Sequence, residues 1–74
     1  SMALPLINSL LDEFPQDPYF WELKGQMLFE NGDAKGALGP YLKAARFLPE
    51  SPLVKQDLAR VQLALNDPSL LMDI

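Results

Sequence analysis

Two stretches with the same grammar stand 34 positions apart: Phe14-Pro15-Gln16-Asp17-Pro18 and Leu48-Pro49-Glu50-Ser51-Pro52. Each runs apolar residue, proline, polar residue, Asp or Ser, proline. The first proline stops a helix, because it lacks an N–H and its ring collides with the preceding turn. The second suits the first position of a new helix, where the N–H would be unpaired anyway, behind an Asp or Ser able to cap it. A spacing of 34 between such marks is the period of a helix–turn–helix solenoid repeat, whose units bury their apolar faces only against a neighbour. A chain organised in this way is expected to hold a partner rather than to carry out chemistry.

The apolar spacing fills the intervals with helices. Leu4, Ile7, Leu10, Leu11 and Phe14 recur every three or four residues and predict a helix from Ala3 to Glu13. A second is expected from Pro18 to Asn31, capped by Asp17 and closed by Gly32 in the left-handed conformation. A third starts after Asp33 and runs to about Leu48, with Ala37, Leu38, Tyr41, Leu42, Ala45 and Leu48 as its apolar face. Gly36, Gly39 and Pro40 are poor helix-interior residues and predict a kink or a late start near Gly39. A fourth runs from Pro52 to Leu65 behind Ser51, with the stripe Val54, Leu58, Val61 and Leu65. Asp67-Pro68 would open a fifth, Pro68 to Ile74. Loops of two to four residues force consecutive helices to lie antiparallel, and no period-two pattern argues for a strand.

Composition removes several functions. With 74 residues the chain holds one domain at most; a domain of this size buries only about 60% of its unfolded surface and is marginally stable. It has no cysteine and no histidine, which leaves no disulfide, no thiol nucleophile, and neither the commonest general base nor the commonest metal ligand. The six basic residues are scattered among ten acidic ones, for a net charge of −4, unlike the clustered Lys and Arg that displace counterions from nucleic acid. No apolar run approaches the roughly 18 residues that cross a bilayer. Ser1-Met2 resembles a remnant of tag cleavage, which leaves residues 3–74 as a single domain.

The polar constellations have structural explanations. Asp12, Glu13 and Asp17 cluster at a turn and Glu30 lies near Asp33, but Asp17 and Asp33 are expected helix caps and the others solvated. The stretch Gly32 to Gly39 contains Lys35, yet lacks the Gly-Lys-Ser/Thr ending and the preceding strand of a phosphate loop. No catalytic residue, metal ligand or cofactor is expected.

Residues 18–51 resemble a tetratricopeptide repeat (TPR). Trp21, Gly25, Ala37, Tyr41, Ala44 and Pro49 fall on positions of the family pattern, while Lys24 stands for its leucine and Leu28 for its tyrosine. In the same register residues 3–17 resemble the second helix of a preceding repeat. Residues 52–74 resemble a following one, with Lys55, Ala59 and Gln62 in place of Trp, Gly and Tyr. The resemblance implies an all-α fold of antiparallel helical hairpins stacked as a right-handed solenoid fragment, acting as a non-catalytic protein- or peptide-binding module. A narrower resemblance, carried by Tyr19 to Gln26, Pro52-Leu53-Val54 and Asn66-Asp67-Pro68, is to the C-terminal TPR tail of bacterial zinc metallopeptidases of the BepA-like group. It implies an accessory domain of the periplasm or cell envelope. Without histidine no HExxH zinc motif can exist in this chain.

Family position puts Tyr19, Glu22, Gln26, Phe29 and Glu30, with Leu53, Gln56, Arg60, Leu63 and Ala64, on the concave, ligand-holding surface, and Trp21 in the core. Glu22 and Gln26 occupy the positions where chaperone-binding TPRs grip a carboxylate tail with Lys and Asn, and a negative Glu22 would repel such a tail. The alternative function is self-association to a homo-oligomer through unpartnered apolar edges, Leu4, Ile7 and Leu11 at one end or Leu70, Leu71 and Met72 at the other.

Overall fold

The caps expected from sequence set where the helices begin. Asp17 accepts a hydrogen bond from the Tyr19 N–H at 3.0 Å, Asp33 from the Gly36 N–H at 2.8 Å, and Ser51 Oγ from the Val54 N–H at 3.3 Å. The computed structural model, which describes residues 3–66, contains α1 (Ala3–Glu13), α2 (Pro18–Glu30), α3 (Ala34–Phe47) and α4 (Pro52–Asn66). Among the described residues there is no strand, so the fold is all-α. Gly32 closes α2 at φ 85°, a conformation that costs residues with a β-carbon roughly 1 kcal/mol or more. The proposed fifth helix lies outside the described residues.

The third helix keeps its expected bounds without the late start that Gly39-Pro40 suggested. It begins at Ala34 and runs through Pro40 to Phe47. Proline disfavours helical backbone in the residue before it because its Cδ meets that residue's β-carbon. Gly39 has none. The Pro40 ring is buried, which offsets part of the missing hydrogen bond.

α2 and α3 share the largest contact, followed by α3–α4, α1–α2 and a slender α2–α4 contact. The core is Ala37, Tyr41 and Val61, with Leu28, Phe29, Leu38 and Leu58 packed against it. Ile7 and Leu11 of α1 are buried as well, so they are not the open edge expected for self-association; Leu6, exposed at 64%, is the apolar residue that edge presents. Leu42, Leu48 and Leu65, expected on buried faces, are exposed. Trp21 is half-buried rather than central. Its Nε1–H donates to the Pro15 carbonyl at 2.7 Å and Lys43 Nζ stands 5.5 Å from its ring centre, tying the α1–α2 turn to the hairpin behind it.

The largest correction concerns α4. Its fully buried stripe is Val54, Asp57, Val61 and Ala64; of the expected Val54, Leu58, Val61 and Leu65, Leu58 is half-buried against the core and Leu65 is exposed. Both sets recur at helical spacing. The helix turns an aspartate inward because that carboxylate finds partners on α2 and α4.

Candidate functional site

The slender α2–α4 contact forms the floor of the face on which family position put the binding residues. From α2, Glu22, Gln26 and Phe29 are half-buried along it, and Tyr19 and Glu30 are exposed at its rim. From α4 it carries exposed Gln56 and Arg60, with Leu53 at 55% and Leu63 at 59% exposure. Ala64, expected on this surface, is buried instead, because α4 is rotated toward its Asp57 side.

Helical spacing brings the α2 residues together: 22, 26 and 29 recur at intervals of four and three. Phe29 packs its ring against the Ala37–Tyr41–Val61 core and meets the Arg60 guanidinium 5.6 Å from its ring centre. That is a cation–π distance. Gln26 Nε2–H donates to Glu30 Oε2 at 3.2 Å, one turn on.

Beneath these residues lies Asp57, only 1% exposed, with Oδ1 accepting from Arg60 Nη2 at 2.7 Å. Short charge-assisted bonds of this kind are the stronger class of hydrogen bond. Arg60 is held above its ordinary pKa chiefly by that bond. Glu22 reaches the same aspartate from α2. Burial first, then a hydrogen bond to Asp57 and the negative charge of Asp57, push the Glu22 carboxyl up to about 7, with Arg60 acting in the opposite direction. One carboxyl therefore keeps its proton near neutral pH so that two acids can lie together. Tyr41 closes the group from α3. Its hydroxyl is pushed up to about 12 by burial, then by the charges of Asp57 and Glu22. Tyr41 Oη and Asp57 Oδ2 are buried without a hydrogen-bond partner.

Four side chains from three helices thus converge under one face: Glu22, Tyr41, Asp57 and Arg60. Sequence reasoning placed Glu22 and Arg60 there and Tyr41 in the core, and missed Asp57. The available signal was its register: Asp57 lies between Val54 and Val61 at the spacing of a buried stripe, with an arginine three residues on. The arrangement suits holding a positive group, because two carboxyls face one guanidinium.

An open hollow lies elsewhere, along the turn Phe14 to Pro18. Its one carboxylate, Asp17, is engaged in capping α2. Among the described residues no group of three or more Asp or Glu side chains gathers to hold a metal ion, and no helix is long and apolar enough to cross a membrane. No protein-family model matches the chain, and no curated protein or solved structure matches it either.

Proposed function

We propose that the chain is a non-catalytic, TPR-type interaction module that takes a peptide or helix of another protein across its α2–α4 face. The observation that carries the proposal is the exposure of Leu53 and Leu63, 55% and 59%, on the same side of α4 as Arg60. Large apolar side chains displayed beside an ordered polar cluster are what a partner's anchors pack against. The order of helix contacts supports the repeat reading, since α2 touches α4 while each also touches the intervening α3. The slab-like extents of 40 × 31 × 14 Å do so as well. Two helix layers with axes 8–10 Å apart give a backbone thickness of about 14 Å.

The narrower proposal is that the module serves a zinc metallopeptidase of the bacterial envelope as an accessory domain. It rests on the Tyr19 to Gln26 string, and an HExxH helix encoded in the same native gene is the observation that tests it. The binding proposal is tested by immobilising the chain and comparing retained envelope proteins with those held by a Leu53→Ser/Leu63→Ser variant of equal thermal stability. Loss of the retained set supports the face; an unchanged set refutes it.

Self-association is a second reading, favoured by Leu6, which stands exposed beside a small apolar groove of about 70 Å³ lined also by Ile7, Leu10, Leu23 and Met27. Sedimentation as a monomer at millimolar protein would reject it.

A further inference from the structure

We infer that the partner of the α2–α4 face is a basic–apolar segment that seats one Lys or Arg side chain on the Glu22–Asp57 pair and lays apolar side chains against Leu53 and Leu63. The inference rests on the interaction-module reading and specifies its ligand.

Charge supplies the first argument. The face and its floor carry Glu22, Glu30 and Asp57 against Arg60 alone. The remaining basic residues are directed elsewhere. Lys24 falls on the opposite side of α2 from Glu22 and Gln26 by helical spacing. Lys55 pairs with Glu50 at 3.4 Å, Lys43 lies against Trp21, and Lys35 and Arg46 belong to α3. A basic ligand therefore meets attraction and no repelling lysine, whereas an acidic one meets three carboxyls.

The second argument is independent of net charge. Asp57 is buried at 1% exposure, and its Oδ2 has no nitrogen donor among the protein groups. The protons within reach of it are those of Glu22 and of the Tyr41 hydroxyl, itself buried and unpartnered; once Glu22 ionises, two carboxylates share that hydroxyl and Arg60. A buried carboxylate oxygen left short of donors destabilises the folded chain. Glu22 stands at the accessible edge of the pair. An ammonium or guanidinium arriving there replaces the proton as the positive charge between two carboxylates. The site holds either the proton or the partner's cation.

That competition fixes a sign. Below the Glu22 pKa of about 7 the proton occupies the pair and the cation must displace it. Affinity for a basic ligand therefore rises as pH rises through that region, by up to about tenfold per unit on the acid side. The charged and titratable groups facing Glu22 are Asp57 and Arg60 from α4 and Tyr41 from α3, with Glu30 further along α2. With no histidine in the chain, the ordinary source of titration near neutral pH is absent.

The test is an NMR titration of the whole chain with synthetic amphipathic peptides of equal length, made from Leu and Lys, Leu and Gln, or Leu and Glu. The expected result is tightest binding by the Leu/Lys peptide, with shifts at Glu22, Asp57, Arg60 and Leu63, and affinity increasing from about pH 6 to about pH 8. Glu22→Gln should weaken the Leu/Lys peptide about tenfold and abolish its pH dependence. Glu13→Gln, the same charge change at the end of α1, should leave both intact. Should the Gln variant unfold, the pH dependence of the unaltered chain still decides. Equal affinity for all the peptides at this face overturns the basic ligand and leaves the interaction module standing. Binding of none of them at this face overturns both. The same shifts produced by raising protein concentration alone assign the face to a second copy of the chain and also overturn the inference.

Discussion

The ring of Tyr41 lies directly on the backbone of Gly25. A β-carbon at position 25 would stand 2.6 Å from Tyr41 Cδ1 and Cε1, well inside van der Waals contact. This is how α2 and α3 approach closely enough to share the largest interface in the molecule. The glycine also gives the buried ring its slot.

Gly25→Ala is therefore expected to destabilise. Overpacking a well-filled core costs about 1–3 kcal/mol, and the better helix propensity of alanine returns only about 1. A net loss of up to about 2 kcal/mol lowers the melting temperature of a domain this size by up to roughly 16 °C. Circular dichroism melts check it, and an unchanged or raised melting temperature would show that the ring can move aside.

Gly39 makes the opposite kind of case. A β-carbon there meets nothing across space within 4 Å, and an exposed mid-helix glycine ordinarily gains about 1 kcal/mol on replacement by alanine. Pro40 follows it, and the proline ring would crowd that β-carbon in helical backbone. The gain is expected to vanish in Gly39→Ala and to reappear when Gly39→Ala is made in a Pro40→Ala background. A double-mutant cycle by urea denaturation should return a coupling of about 1 kcal/mol; strict additivity would remove Gly39 as the reason α3 tolerates its proline.

The helix order was legible from sequence because the stops and starts are chemical: Pro15, Pro18, Pro49 and Pro52 restrict the backbone, and Asp17, Asp33 and Ser51 supply oxygens where N–H groups are orphaned. The rotation of α4 was not. Leu65 competes with Asp57 and Ala64 for the inward side while Leu58 keeps a half-buried place against the core, and hydrophobicity alone favours the leucines. The outcome depends on Glu22 and Arg60, contributed by other turns of helix, which make an inward aspartate tolerable. The face was readable as a set of α2 positions, Glu22, Gln26 and Phe29, because one helix fixes their spacing. Its floor was not, because it joins three helices.

Glu22 makes stability fall as pH rises. Its carboxyl binds a proton more tightly in the folded chain, at about 7, than at its ordinary value of 4.5. The folded state then holds more protons than the unfolded state between these values, so the slope of unfolding free energy against pH is negative. The stabilisation is complete below about pH 4.5 and disappears as pH rises through about 7. Melting temperature should decline from about pH 5 to about pH 8, against the usual trend for paired carboxylates. Glu22→Gln, which keeps a hydrogen-bond donor at all pH values, should flatten the decline. A parallel decline in both proteins would mean that general repulsion among the ten acidic side chains is responsible.

Asp57 separates stability from the binding role. Its neighbours along the buried stripe of α4 are Val54, Val61 and Ala64, so an apolar residue of similar volume belongs there on packing grounds. Replacing a buried ionic group by a well-packed apolar one is often neutral or stabilising by about 1–4 kcal/mol. Asp57→Val is accordingly expected to match or exceed the original stability, while Asp57→Ala, which leaves a void against the Ala37–Tyr41–Val61 core, should lose about 1–2 kcal/mol. Burial, the largest cause of the raised Glu22 pKa, stays in both variants, but loss of the hydrogen bond and charge of Asp57 should move Glu22 part of the way back toward ordinary carboxyl behaviour. Carbon-detected NMR titration of the Glu22 carboxyl follows this directly. A valine variant that is stable, titrates Glu22 at lower pH and no longer prefers the Leu/Lys peptide would show that the aspartate is retained for recognition at the expense of packing. A valine variant that unfolds would instead make Asp57 a structural tie between α2 and α4.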